Sequence, residues 1–143
     1  GANVVVEGVG NHGCEYMTGG RAVVLGRIGQ NFAAGMSGGI AYVLGESLEA
    51  VKAMCNVKLV ELEPLQGEEE IAIVRGMIER HVLFTGSTYA ESLIERWDDT
   101  VSRFVRIVPR DYIRIVTLIE KYRRSGVPLE EAKFAAFQAK KEA

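Results

Sequence analysis

Residues 17–45 read MTGGRAVVLGRIGQNFAAGMSGGIAYVLG, and this stretch contains one segment twice. MTGGRAVVLG at 17–26 returns nineteen positions later as MSGGIAYVLG at 36–45. The same shift aligns residues 1–26 with 20–45, and eleven of these twenty-six positions are identical. A period near twenty residues is typical of a solenoid in which each repeat forms one coil.

The repeated apolar segments predict β-strands, because they are short, rich in β-branched residues and bounded by glycines. They are VVV at 4–6, AVVL at 22–25 and AYVL at 41–44. The paired glycines indicate corners with positive φ, where a Cβ atom would clash. We therefore predict a mainly β-solenoid with about 19 residues per coil, whose structural turn glycines are Gly10, Gly19, Gly20, Gly29, Gly38 and Gly39.

The composition changes near residue 45 and predicts two unlike parts. Residues 1–45 hold twelve of the sixteen glycines but only four charged residues. We expect glycine-rich coils over 1–46 and a mostly helical extension over 47–143. In the extension, apolar periodicity and capping residues predict helices at 48–54 and 68–83, from Thr88 to Trp97, from Asp111 and from Pro128, with extended segments at 57–66 and 104–108.

The overall composition is that of a soluble globular protein, with 48% apolar and 25% charged residues. A net charge of −2 gives no reason to expect nucleic acid or an anionic membrane as a partner. No apolar run approaches the length of a membrane span. Cys14 and Cys55 are expected to be free thiols in a reducing cytoplasm. Since the chain starts at Gly1 inside a motif, we interpret it as a piece of a longer protein.

Gly8, Gly10 and Gly13 spell G-x-G-x-x-G after an apolar strand, which is the dinucleotide-binding fingerprint. That motif needs a helix that begins within it, so that the helix N-terminus meets the pyrophosphate. The residues that follow, CEYMTGG, contain a Gly-Gly break and no helical stripe. The nineteen-residue repeat already accounts for Gly10, and we favour that explanation over a nucleotide site.

His12, Cys14 and Glu15 raise the alternatives of a metal site or a Cys/His nucleophile. Zinc needs three or four ligands, usually from two sequence clusters, and Cys55 and His81 supply no matching pattern. A nucleophile also needs an orienting group and an oxyanion site. The simpler interpretation is a turn histidine and a small buried thiol, with His81 on a helix surface. We predict no catalytic, cofactor-binding or metal-binding residues in this chain.

The stretch EGVGNHGCEYMTGGRAVVLGRIGQNFAAGMSGGIAYVLGE at 7–46 resembles the glycine-repeat (GXGXG) domain that closes the glutamate synthase large subunit. Three further segments resemble the same family: VELEPL at 60–65, EEEIAIVRGMIERHVLFTGST at 68–88 and RFVRIVPRDY at 103–112. The resemblance covers about residues 1–115. It implies a right-handed parallel β-helix, followed here by the α-helical tail.

The resemblance also implies a parent enzyme that converts glutamine, 2-oxoglutarate and reducing equivalents into two glutamates. In that family an amidotransferase domain and an FMN-binding synthase domain with a 3Fe-4S cluster carry the chemistry. Those segments are not in this sequence, so the implied role is a structural domain with these domains as partners. The electron donor, a pyridine nucleotide or ferredoxin, stays open.

Two alternatives to the glutamate synthase assignment remain open. One is a β-helix protein like the glycine-repeat subunit of formylmethanofuran dehydrogenase, and the other is an independent nucleotide-binding protein that uses the glycines of residues 8–13. We further expect an isolated chain to form a homo-oligomer through the coil nearest Gly1, because a coil without a neighbour exposes strand edges and apolar side chains.

Overall fold

The computed structural model describes residues 3–8, 10, 13–14, 17–34 and 36–142. The chain falls into two compact units, Gly1–Pro109 and Arg110–Ala143. Their elements, in chain order, are β1 (Asn3–Val6), β2 (Thr18–Val24), β3 (Gly38–Leu44), α1 (Leu48–Ala53), β4 (Val60–Pro64), α2 (Glu68–Thr85), α3 (Thr88–Glu95), α4 (Trp97–Val101), β5 (Phe104–Pro109), α5 (Arg110–Arg124) and α6 (Leu129–Glu142).

The five strands form one open sheet in the order β1-β2-β3-β5-β4. β1, β2 and β3 are parallel neighbours, and Val5, Val23 and Tyr42 lie side by side across them. β5 pairs antiparallel with the outer edge of β3, and β4 pairs antiparallel with β5. Residues on both sides of position 46 therefore share a single sheet.

The predicted β-solenoid, a right-handed parallel β-helix followed by a helical tail, is wrong. The described residues form a small mixed α/β unit with one five-stranded sheet. The repeated segments do form parallel strands, but β5 occupies the edge of β3 on which a further coil would stack. This pairing joins segments about sixty residues apart, and no repeat pattern reports it.

Both faces of the sheet are covered, which explains the continuous apolar runs in β2 and β3. One face packs under α2 and α3 through Val23, Tyr42, Val74, Met77 and Leu93, among others. The other face packs under the loops of the repeat and α1, with Val24, Phe32, Val43, Val51 and Ile107 at its centre. The sheet is the middle layer of unit 1, and neither face of its central strands is free.

The local elements largely follow the sequence pattern. The helices expected at 48–54 and 68–83 and the strand expected at 104–108 are confirmed, with small differences at their ends. The helix expected from Thr88 to Trp97 begins at Thr88 but ends at Glu95. Its N-cap is Ser87, whose hydroxyl accepts a hydrogen bond from the Ala90 amide at 3.1 Å. In the second unit, α5 and α6 pack on each other and meet at a turn that contains Gly126.

Candidate functional site

The paired glycines of the repeat lie at the start of strands. Gly19 and Gly20 lie in β2, at a register shift between Thr18 and Arg21, and Gly38 and Gly39 open β3. The φ angles of Gly20 and Gly39 are 79° and 83°, so one residue of each pair adopts the left-handed conformation. Gly10 and Gly29 lie outside strands and helices.

Gly39 sits where two backbones almost touch. A Cβ atom at Gly39 would lie 2.8 Å from the carbonyl oxygen of Gly20 and 2.7 Å from the terminal carbon of Met17. Gly10 differs, because no heavy atom of the described residues lies within 4 Å of the equivalent position. Glycine is therefore required at position 39 for two reasons, the close approach of the neighbouring backbone and the positive φ.

Gly26 also makes a close backbone approach, and the predicted set of turn glycines missed it. Its Cβ atom would lie 1.8 Å from the carbonyl oxygen of Glu7, on the turn that follows β1. The adjacent Leu25 amide donates to the Val6 carbonyl at 2.9 Å, which fixes the two turns against each other. The repeat offered a signal, because the nineteen-residue shift aligns Gly26 with Gly45.

The residues considered for metal or nucleophilic chemistry are only partly described. His12 and Glu15 lie outside the described residues. Cys14 and Cys55 both pack against the core beneath α1, and burial raises the pKa of both thiols, that of Cys55 to about 11. Within the described ranges, no group of three or more His, Cys, Asp or Glu residues could hold a metal ion.

Cys14 also shows how far the repeat extends beyond the strands. Its φ is 58°, and Ala33, nineteen residues later, has a φ of 62°. Ala33 donates its amide proton to the carbonyl of Gly13 at 2.7 Å, so the two turns stack. The next described element after the turn at Gly13–Cys14 is the strand β2, so the described residues supply no helix N-terminus of the kind that a nucleotide fingerprint needs.

His81 is not the plain helix-surface residue that the sequence indicated. Its side chain is only 12% exposed, and Nε2 lies 2.9 Å from the Glu7 carboxylate. Hydrogen bonds from His81 and then Ser87 lower the pKa of Glu7 below its usual value. This contact attaches the turn after β1 to the end of α2, and so joins the glycine repeat to the helical layer.

A row of polar side chains crosses the sheet under α2, and sequence reasoning missed it. Tyr42, Arg106 and Glu63 lie side by side on β3, β5 and β4. Arg106 donates to Glu63 at 2.7 Å and to Glu70, in the first turn of α2, at 2.5 Å. Burial alone would lower the pKa of Arg106, but the two carboxylates outweigh it and raise that pKa.

Tyr42 continues this row toward β2. Its side chain is fully buried and its hydroxyl accepts a hydrogen bond from Arg21 Nε at 3.3 Å. Burial is the main cause that raises the pKa of Tyr42, and the Arg21 hydrogen bond opposes it. The row holds α2 at one position on the sheet, because Glu70 and Arg106 neutralise each other in a partly buried setting.

A cleft of about 480 Å³ opens at the carboxyl ends of β2 and β3. Its lining combines apolar residues with charges at the rim, and includes Leu25, Val51, Met54, Arg27, Glu46 and Arg103. The Tyr89 hydroxyl donates to the Leu25 carbonyl at 2.6 Å and closes one side. Gly26 and Gly45 also line the cleft, so the stacked turns of the repeat form it.

None of the helices in the described part of the chain combines the length and apolar character that crossing a membrane requires.

Comparison with known proteins identifies one family. The family model of the GXGXG motif matches residues 1–110. The chain is 51% identical over 139 residues to the glutamate synthase [NADPH] large chain of Bacillus subtilis (strain 168), which covers 97% of this chain and 9% of that protein.

Two further relatives differ in the electron donor that their names give. The glutamate synthase [NADH] of Schizosaccharomyces pombe (strain 972 / ATCC 24843) is 45% identical over 133 residues, covering 93% of this chain and 6% of that protein. The ferredoxin-dependent glutamate synthase of Cyanidium caldarium is 46% identical over 105 residues, covering 73% of this chain and 7% of that protein. The chain spans less than a tenth of the length of these relatives. The resemblance drawn from the sequence is confirmed.

Proposed function

This chain belongs to the GXGXG motif family, and we propose that it is a structural domain of a glutamate synthase large chain with no catalytic site of its own. The observation that carries the proposal is the match to the Bacillus subtilis large chain along almost the whole of this sequence. Since this segment makes up so small a part of that relative, its role is that of one domain among several.

The parent reaction is part of the same proposal. It converts glutamine, 2-oxoglutarate and reducing equivalents into two glutamates, with FMN and a 3Fe-4S cluster in other domains. The proposed partners are the amidotransferase domain and the FMN-binding synthase domain of the large chain, in the cytoplasm. The relatives named above use NADPH, NADH or ferredoxin according to their names, so the proposal is neutral on the electron donor.

The packing of unit 1 supports a structural role. Turns of the repeat approach so closely that Gly26 leaves no room for a side chain, and the sheet is covered on both faces. Charged groups such as Arg106 and Glu70 are paired across elements that they hold together. These features build a rigid body, which suits a domain that positions others.

The two alternatives have less support. The relatives reported above are glutamate synthases, which favours that assignment over the formylmethanofuran dehydrogenase subunit. Against nucleotide binding, the next described element after Gly13 is a strand, and a Cβ atom at Gly10 would meet no heavy atom of the described residues within 4 Å.

Self-association of an isolated chain belongs to the proposal as well. The outer edge of β1 has no strand partner among the described residues, and Val4 is 48% exposed there. A two-fold dimer would pair two such edges antiparallel. Analytical ultracentrifugation of the wild type and of Val4→Lys and Val5→Lys tests this: a dimer that these substitutions dissociate supports it, and a wild-type monomer at all concentrations refutes it.

Ligand titration and turnover assays test the central proposal. We expect the purified chain to show no saturable binding of FMN, NAD(P)H or glutamine and no glutaminase or synthase turnover. In the large chain, Gly26→Ala should lower both activities in parallel with the amount of folded enzyme, and Gly10→Ala should lower neither. Micromolar binding by the chain, or loss of one activity in a normally folded enzyme, would refute the structural role.

A further inference from the structure

The outward side of α2 carries an apolar surface that unit 1 does not use. Leu83 and Phe84 are 78% and 81% exposed, near the end of an 18-residue helix whose other side is buried through Val74, Met77 and Ile78. Next to them, a shallow groove of about 620 Å³ runs along α2 and is lined by Ala72, Ile73, Gly76, Glu79, Arg80 and Leu83. Two adjacent large apolar side chains at the end of such a groove are typical of an interaction surface.

Gly76 lies in the middle of this groove, and the described chain does not explain it. A glycine inside a helix destabilises it by about 1 kcal/mol relative to alanine. A Cβ atom at Gly76 would meet no heavy atom of the described residues within 4 Å, and the φ of Gly76 lies outside the left-handed region. Neither space nor backbone conformation within the described residues requires glycine here. Close approach of another backbone from outside would require it.

The charges of the groove define what such a partner would present. Glu79 is paired with Arg75 at 2.9 Å, and Arg75 also lies over the ring of Trp97. Arg80 forms no ion pair with the described residues and borders both this groove and a second one beside β1. A carboxylate on the partner would complete the groove.

We propose that this groove receives a helix from another part of the same large chain, outside residues 1–143. That helix packs its backbone against Gly76, apolar side chains against Leu83 and Phe84, and a carboxylate against Arg80. The inference rests on the proposed function, because relatives of this chain are more than ten times its length and so supply the occupant within the same polypeptide. From Ile73 to Leu83 the groove spans about 15 Å of helix, or roughly three turns.

The test compares one substitution in two settings. In the isolated chain, Gly76→Leu should raise the melting temperature by about 4 °C, because leucine favours the helix and its Cβ would meet no heavy atom of the described residues. In the large chain that carries this sequence, the same substitution should lower the melting temperature and speed the release of this domain by limited proteolysis. A rise of the melting temperature in both settings would overturn the proposal.

Leu83→Lys keeps the test independent of how Gly76→Leu folds. It should leave the isolated chain unchanged and weaken the large chain, while Leu59→Lys, at a half-exposed leucine outside the groove, should change neither. A concentration-dependent dimer of the isolated chain that Leu83→Lys dissociates would assign the groove to a second copy and overturn the proposal. Unchanged large-chain stability would remove the docking inference and leave the structural role standing, whereas ligand binding by the isolated chain would remove that role.

Discussion

The two halves of the sheet are held together by different means. In the glycine-repeat strands β1 to β3, backbones approach so closely that Gly26 and Gly39 leave no room for a side chain. In the later strands β4 and β5, side-chain contacts hold the elements together, namely the ion pairs of Arg106 and the apolar contacts of Phe104. A repeat is therefore visible in the sequence where backbone contact demands glycine, whereas side-chain contacts between distant segments leave no such pattern.

The largest effect is expected at Gly26. Gly26→Ala should destabilise the chain by about 3 kcal/mol or more, because the new methyl group would overlap the Glu7 carbonyl and the two turns would have to separate. Gly10→Ala is the matched control and should change the stability by less than about 0.5 kcal/mol. Urea unfolding measures the free energy of unfolding of both variants. An equal loss of stability in the two would contradict the claim that close backbone contact is what requires glycine at position 26.

Gly39→Ala should have the next largest effect, about 2–3 kcal/mol. It combines the strain of a left-handed alanine with contacts below 3 Å to the backbone of Gly19 and Gly20. Gly86→Ala separates the two causes, since Gly86 has a left-handed φ of 68° but no heavy atom of the described residues within 4 Å of an added Cβ, and should cost about 1 kcal/mol. If both variants lose the same stability by thermal unfolding, conformation alone explains Gly39.

In the side-chain half, Arg106→Met should destabilise the chain by about 2 kcal/mol. It leaves the partly buried Glu70 without its partner and removes a link between β5, β4 and α2. Arg124→Met, in an exposed pair with Glu120, is the control and should cost less than about 0.5 kcal/mol. The measurement is urea unfolding; the double variant Arg106→Met/Glu70→Gln should recover part of the loss, and no recovery would show that the pair is not coupled.

The smallest effect concerns Glu7, which links the glycine repeat to α2 through His81. The pKa of Glu7 is lowered in the folded chain, so its contribution to stability is fully present above about pH 4.5 and is lost as the pH falls through the folded value. The urea midpoints of the wild type and of Glu7→Gln should therefore differ at pH 6 and converge toward pH 3. A difference that stays constant with pH would rule out the ionised carboxylate as its source.

Local and repeated patterns account for the elements that could be predicted from the sequence. The nineteen-residue shift located β2 and β3 and indicated that they pair in parallel. The register between these two strands equals the shift, since Val23 lies beside Tyr42, nineteen residues later. The apolar stripe of helical period located α2 within a few residues. These signals are local or repeated, so they can be read along the chain.

The remaining features depend on pairing between distant segments. Nothing in the residues around Phe104 indicates that β5 lies antiparallel to β3, and the β-helix prediction failed for this reason. The row from Tyr42 to Glu63 could not be foreseen without that pairing, because its members come from three strands. Gly26 is a different case, since the repeat marked it and only the distance to Glu7 shows its importance.

The most direct test of this account is the solution NMR spectrum of the chain, examined for nuclear Overhauser effects between the α-protons of β3 and β5. We predict cross-strand signals between alternate facing pairs among Ala41–Ile107, Tyr42–Arg106, Val43–Val105 and Leu44–Phe104, together with slow amide exchange along β3. Absence of these signals, with the outer amides of β3 exchanging as rapidly as those of an exposed edge, would contradict the single sheet that joins the glycine repeat to the rest of unit 1.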